Sequence, residues 1–233
     1  MSDRLRCADL FSGAGGACKG LQRAGFYVEG WDIKLQKRYC GDVFHFGNAL
    51  DADLVGFDFV WASPPCQAHT ALKVMPNAKK HEDLIPATRQ KLQAWEGFWI
   101  IENVVGAPLI NPSMLCGSMF GLGTAGGRAE LRRHRLFESN AALITPSCSH
   151  GAEMVCGVYG GHGRDRRRVV TAVGNSGGRS IRDGHQQFTV AQRREAMGID
   201  WMNGDELSQA IPPAYSEFLG RQIMAILKKG TTC

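Results

Sequence analysis

Long apolar runs are missing from this chain of 233 residues. None approaches the roughly 20 residues that cross a bilayer as a helix, so no membrane span is expected. No apolar stretch precedes Asp9, so no secretory leader is expected and the chain reads as cytosolic. Eight cysteines are present, but none forms a Cys-x-x-Cys pair, which excludes a zinc-ribbon pattern. In a cytosolic chain they read as free thiols. Cys148, His150, Cys156 and His162 can be drawn around a metal, but their spacing fits no common finger, and no metal is expected. A fixed-period repeat and a long low-complexity tract are also absent. What is present is an ordinary globular composition, 44% hydrophobic and 21% charged, which excludes a disordered or fibrous chain.

Lysine is absent from one whole segment. Residues 128–194 hold twelve Arg and five acids, a local charge of +7, while the rest of the chain, fifteen basic against seventeen acidic, carries −2. A basic segment on a slightly acidic body points to a polyanionic partner.

The first half alternates strands with helices. Strands are expected at 5–11, 27–31, 57–62 and 98–101, with helices at 17–24 and 82–95. That alternation predicts an α/β fold with a parallel sheet covered on both faces. A further strand is expected at 135–138, irregular Gly- and Arg-rich chain over 145–187, and helices at 190–197 and 213–227.

Four motifs carry chemistry. The first is the glycine-rich turn Asp9-Leu10-Phe11-Ser12-Gly13-Ala14-Gly15-Gly16 after the first strand. Its glycines let backbone approach a ligand at a helix N-terminus. With Asp32 at the end of the second strand, placed for ribose hydroxyls, it points to a nucleotide-like cofactor, although the dinucleotide spacing Gly-x-Gly-x-x-Gly is not matched. The second is Ser63-Pro64-Pro65-Cys66-Gln67, a thiol held behind two prolines at the carboxyl end of a buried strand. It reads equally as a nucleophile or as a packed turn thiol. The third is Glu102-Asn103-Val104, a carboxylate after an apolar strand, where desolvation favours a proton-donor role. The fourth is Arg132-Arg133-His134-Arg135, in which Arg133 and Arg135 share one strand face, suited to a carboxylate, a phosphate or a pyrimidine carbonyl.

In this order the four motifs resemble the DNA cytosine carbon-5 methyltransferase family, with its small phage-type members as the nearest in length. Arg193-Arg194-Glu195-Ala196-Met197-Gly198-Ile199 and Gln209-Ala210-Ile211-Pro212-Pro213-Ala214 extend the resemblance toward the C-terminus. The resemblance implies a Rossmann-like S-adenosylmethionine-dependent methyltransferase sheet with a small irregular target-recognition region. It implies a core over residues 1–139, target recognition over 140–187 and C-terminal helices returning to the core over 188–233. The implied catalytic residues are Cys66 as nucleophile toward carbon 6 of a flipped cytosine, Glu102 at N3, Arg135 on the base carbonyl and Arg133 supporting the loop. The implied cofactor, S-adenosylmethionine, would be held by Asp9, Phe11, Gly13, Ala14, Gly15, Gly16, Asp32, Asn48, Pro65 and Gln209. Double-stranded DNA, met by a monomer in a bacterial or phage-infected cytosol, would be contacted by Gln67 and by Arg164, Arg166, Arg167, Arg168, Arg179 and Arg182.

The sequence departs from the family pattern at several places. Leu131 replaces a Gln before the arginine pair, Gly30 replaces an acid two residues before Asp32, and Asn48 stands where an Asp often meets the adenine amino group. Ser208-Gln209-Ala210 replaces Gly-Asn-Ser before the last prolines. About fifty residues for target recognition is small. The alternatives are an RNA cytosine carbon-5 methyltransferase and a catalytically silent nucleic-acid-binding relative.

Overall fold

A computed structural model describes residues 4–69, 81–124, 129–151, 154–158 and 188–230. The chain alternates as its sequence predicts. Strand β1 (Arg6–Leu10) leads through the glycine turn into helix α1 (Gly16–Ala24), then β2 (Tyr27–Asp32) and β3 (Val43–Phe46). Next come β4 (Phe59–Ala62), helix α2 (Ile85–Ala94), β5 (Phe98–Asn103), β6 (Ser113–Leu115) and β7 (Arg135–Ser139). Helices α3 (Val190–Met197), α4 (Gly204–Gln209) and α5 (Pro213–Gly230) close the described chain. No helix among the described residues is long and apolar enough to cross a membrane.

The seven strands form one sheet in the order β3-β2-β1-β4-β5-β7-β6. The five from β3 to β5 are parallel, and β7 enters antiparallel beside β5, with Asn103 opposite Leu136. Two consequences fix the site. The strand order reverses between β1 and β4, and in open α/β sheets ligands bind outside the carboxyl ends of strands at such a switch point. An antiparallel β7 also begins where β5 ends, so residues at its start reach the same edge as the carboxyl ends of β4 and β5.

The central strands β1 and β4 are almost wholly buried, Cys7, Ala8, Leu10, Phe59, Val60, Trp61 and Ala62 among them, because helices cover both faces. Helix α1 packs on α5 with small residues at the contact. Ser216 Oγ donates to the Ala17 carbonyl at 2.8 Å, and a Cβ on Gly20 would lie 2.0 Å from the Pro213 carbonyl oxygen. Gly20→Ala therefore must push the helices apart. Overpacking of this kind costs about 1–3 kcal/mol, and each kcal/mol lowers the melting temperature of a domain this size by about 2–4 °C. A thermal melt of Gly20→Ala within 1 °C of wild type would contradict this packing.

The C-terminal helices divide between two cores. Tyr215, Leu219, Ile223 and Met224 of α5 join the main core under the sheet. Ala196 and Met197 of α3 and Leu207 of α4 instead gather with Leu131, Cys156, Val158 and Phe188 in a second apolar cluster. That cluster accounts for Leu131, where the family pattern carries Gln: its side chain is buried in it. None of the seven described cysteines forms a disulfide, in agreement with free thiols.

Candidate active site

The cysteine turn leaves β4 at its carboxyl end and is held from both sides. Asn103, the last residue of β5, donates from Nδ2 to the Pro64 carbonyl at 2.9 Å and accepts from the Val104 amide at 2.9 Å. The Cys66 carbonyl accepts from the His69 amide at 2.9 Å, and the His69 ring meets Asp83 at 2.9 Å. Cys66 is half-buried in the held turn. Burial pushes its thiol above the ordinary range, while Arg135 and Arg133 pull it down and Glu102 raises it further. The charges of Arg135, Arg133 and Glu102 thus all reach the Cys66 thiol.

Glu102 is buried at the end of β5, and Arg135, at the start of β7, places Nε 3.0 Å from its Oε1. Burial nevertheless holds the Glu102 carboxyl above the usual glutamate range, against the lowering by Arg135, Ser63 and Arg133. Ser63 is a residue the sequence reading passed over. Its hydroxyl accepts from Trp61 Nε1 at 3.0 Å and hydrogen-bonds to Glu102, tying the carboxyl to β4.

Arg133 is a strut, only 1% exposed. Its guanidinium donates to the carbonyls of Val158 and of Ser208, the latter at 2.8 Å, and its own carbonyl accepts from the Tyr215 hydroxyl at 2.7 Å. It thereby joins the start of β7 to the second cluster and to the C-terminal helices. Arg135 donates to the His134 carbonyl at 3.0 Å as well as to Glu102.

Across the switch point lies the glycine turn. Phe11 has φ 60° and Gly13 φ 50°, so the chain leaves β1 through two successive left-handed positions around Ser12. Strain of this kind at a non-glycine residue gathers at functional sites. A Cβ on Gly13 would face open space, whereas one on Gly15 would lie 2.8 Å from Cys40 Sγ and one on Gly16 2.8 Å from the Ile211 carbonyl oxygen. Gly13 therefore opens toward the crevice, while Gly15 and Gly16 are small because their own chain packs on them. The Ala14 carbonyl accepts from Trp201 Nε1 at 2.9 Å.

Asp32 does more here than the sequence reading assigned. Its carboxylate accepts from the Gly13 amide at 3.0 Å and from the Lys34 amide at 2.8 Å, so it shapes the turn itself, with a lone pair on each oxygen left for a ligand. Glu29 is spent on Arg6 at 2.7 Å and His45 at 2.9 Å. Burial pushes the Glu29 carboxyl up, and those two partners overcome it to hold the carboxyl below its ordinary range. Asn48 is exposed and caps a short turn, accepting from the Leu50 amide at 3.2 Å. Pro65 and Gln209 are exposed, the latter ending α4. Gln67 follows Cys66 and is half-buried. Arg164, Arg166, Arg167, Arg168, Arg179 and Arg182 lie outside the described residues.

The crevice carries one unsolved electrostatic problem. Both carboxylate oxygens of Asp9 and the Ser12 hydroxyl are buried without a well-formed hydrogen bond among the described residues. Burial, then Cys40 and Asp32, push the Asp9 carboxyl well above its ordinary range, and the Cys18 amide partly offsets this. A buried carboxyl with so little hydrogen bonding fits a ligand with cationic or amine groups.

No family model and no curated protein matches this chain in sequence. Solved structures do match in fold. A protein described as a DNA modification methyltransferase encoded within an E. coli prophage superposes with a TM-score of 0.57 at 14% identity, over 96% of this chain and 99% of that one. The Dnmt2 methyltransferase of S. pombe superposes with a TM-score of 0.58 at 14% identity, over 99% and 100%. A DNMT2 variant from Spodoptera frugiperda gives 0.53 at 12% identity, over 96% and 99%. The chain has the Rossmann-like α/β fold of these methyltransferases, as the motif order implies.

Proposed function

We propose that this chain is an S-adenosylmethionine-dependent DNA cytosine carbon-5 methyltransferase. One observation carries the reading. A thiol, a buried carboxyl raised by burial and two arginines meet at the neighbouring ends of β4, β5 and β7, beside the glycine turn at the switch point. Chance packing does not gather a soft nucleophile, an acid and guanidiniums at a ligand-binding edge in the motif order this family uses.

The residues divide the chemistry among them. The Cys66 thiol gives up its proton to solvent as its sulfur bonds to carbon 6 of a cytosine turned out of its helix. Glu102, whose acid form burial favours, gives a proton to N3 and so draws charge away from the ring as that bond forms. Arg135, fixed by Glu102, faces the base carbonyl, and Arg133 keeps β7 in place. Carbon 5 becomes electron-rich and takes a methyl group; its proton then departs to solvent, the electrons of that bond re-form the ring double bond as the carbon–sulfur bond breaks, the sulfur takes a proton back from solvent, and N3 returns its proton to Glu102. S-adenosylmethionine, when bound, supplies that methyl from a sulfonium centre. Its cationic amine suits buried Asp9, Gly13 leaves it room, and the free lone pairs of Asp32 suit ribose hydroxyls.

Asp32→Ala is expected to weaken S-adenosylmethionine by about 10- to 100-fold in a calorimetric titration, since bonds to a charged acceptor contribute about 1.5–3 kcal/mol each. Wild-type affinity in this variant would remove Asp32 from the cofactor site.

The +7 charge of residues 128–194 supports a nucleic-acid substrate. Labelled methyl transfer to duplex DNA and to transfer RNA tests the choice directly. Label in DNA, at cytosines resistant to bisulfite, supports the proposal; label in transfer RNA alone replaces it with RNA methylation. No label in either overturns it.

A further inference from the structure

A second cluster of reactive side chains stands behind the arginine strand. Cys116 follows β6, His134 immediately precedes β7, and Cys148 and His150 lie on the segment after β7. Each offers one donor atom, and all four donor atoms lie within 4.8 Å of one another. His150 Nε2 is 3.0 Å from Cys148 Sγ and 3.4 Å from Cys116 Sγ, and His134 Nε2 is 3.4 Å from Cys148 Sγ.

The two 3.4 Å separations match the edges of a coordination shell, and the 3.0 Å one is slightly shorter. Zinc–sulfur bonds of about 2.3 Å and zinc–nitrogen bonds of about 2.0–2.1 Å give tetrahedral edges of about 3.3–3.8 Å. The two imidazoles meet edge to face, 79° apart with centroids 5.2 Å apart, so they do not stack. Both turn Nε2 into the cluster, which leaves Nδ1 free for an outer partner. The Ser118 hydroxyl points at Cys116 Sγ from 3.3 Å and lies 3.8 Å from Cys148 Sγ, the kind of outer donor that steadies thiolate ligands. Thiols and imidazoles are weak hydrogen-bond partners for one another, so mutual hydrogen bonding is a poor reason for four of them to converge from three segments. Among metals, two thiolates and two imidazoles in a tetrahedral set select zinc.

We propose that Cys116, His134, Cys148 and His150 form a closed structural zinc site that pins the start of β7. The two thiols lose their protons to solvent as the zinc–sulfur bonds form. His134 lies between Arg133 and Arg135, so a metal on one side of this segment restrains the arginines on the other. The site differs from the one the spacing allowed. Cys156 is buried in the second apolar cluster, His162 lies outside the described residues, and Cys116 and His134 take their places.

The test uses full-length protein purified without chelator and measured by plasma mass spectrometry. Wild type is expected to carry about one zinc per chain. Cys148→Ser combined with His150→Ala should lose it, and Cys66→Ser should keep it, so the result stands whether or not methyl transfer is observed. Cobalt exchanged into wild type should give thiolate charge-transfer bands with tetrahedral ligand-field bands, and X-ray absorption should count two sulfur and two nitrogen neighbours. These two readouts hold even if the double variant does not fold. Zinc below about a tenth per chain from zinc-supplemented cells, an octahedral cobalt spectrum, or metal retained by the double variant would overturn the site.

Discussion

Cys66→Ser is expected to lower methyl transfer by about 10⁴-fold or more, the largest effect of any single change in the chain. A serine hydroxyl keeps the shape of the turn but is far less acidic and a harder, poorer nucleophile toward an electron-deficient ring carbon. The backbone around it is held by Asn103 and by the His69 amide and does not depend on the sulfur, so the variant should fold and melt like wild type. The reason for so large a loss lies in how the thiol is already balanced. Burial keeps it protonated at neutral pH, and Arg135 and Arg133 favour the thiolate only in part. A group with still less tendency to ionise has no route to a nucleophile there. Single-turnover methyl transfer measures this, and a rate within tenfold of wild type would remove Cys66 from the mechanism.

Glu102→Gln is expected to cost roughly 100-fold or more. The amide matches the carboxyl in size and can hydrogen-bond to N3, but it has no proton to give. The direction of its shift sets the pH dependence. Burial raises the Glu102 carboxyl, so its acid form persists to higher pH than in an exposed glutamate, and catalysis that needs that form falls as pH rises through the folded value. Glu102→Gln should lose this decline along with its rate. Ser63→Ala, which removes a hydrogen bond to the carboxylate, should move the decline to higher pH. A Glu102→Gln variant with an unchanged pH profile would assign the decline to another group.

Most of the sheet was legible because buried parallel strands such as β4 and β5 leave continuous apolar runs, and β1, β4 and β5 lead into the motifs that matter. The edges were not. β3 has only four residues, set by pairing with β2 rather than by its own pattern, and β6 has three. Helix α4 was missed although Asn203 and Glu206 form a reciprocal cap, with Asn203 accepting from the Glu206 amide at 2.9 Å, a signal the sequence does carry. The thiol, the acid and the arginines stand out in the sequence because each lies at or just beyond a strand end. Ser63 was passed over because its partner, Glu102, is 39 residues away and becomes a neighbour only when β4 pairs with β5. The Cys116–His134–Cys148–His150 cluster was hidden for the same reason: its ligands come from three segments, in a spacing that no compact finger uses. Asp32 ends β2 as its sequence position implies, but its grip on the Gly13 amide follows from the turn's geometry, which residue types alone do not specify.

The covalent adduct is the claim on which the rest depends, and mechanism-based trapping tests it most directly. A duplex carrying 5-fluorocytosine at a cytosine first located by bisulfite mapping is incubated with S-adenosylmethionine and wild-type protein. Once the Cys66 sulfur has bonded to carbon 6 and carbon 5 has taken its methyl, carbon 5 has no proton to lose, so the carbon–sulfur bond cannot break. The account predicts a denaturation-resistant protein–DNA complex, with mass spectrometry placing the link on Cys66, and no such complex with Cys66→Ser. Methylation of the unmodified duplex without any complex on the fluorinated one, or a link on another cysteine, would contradict it.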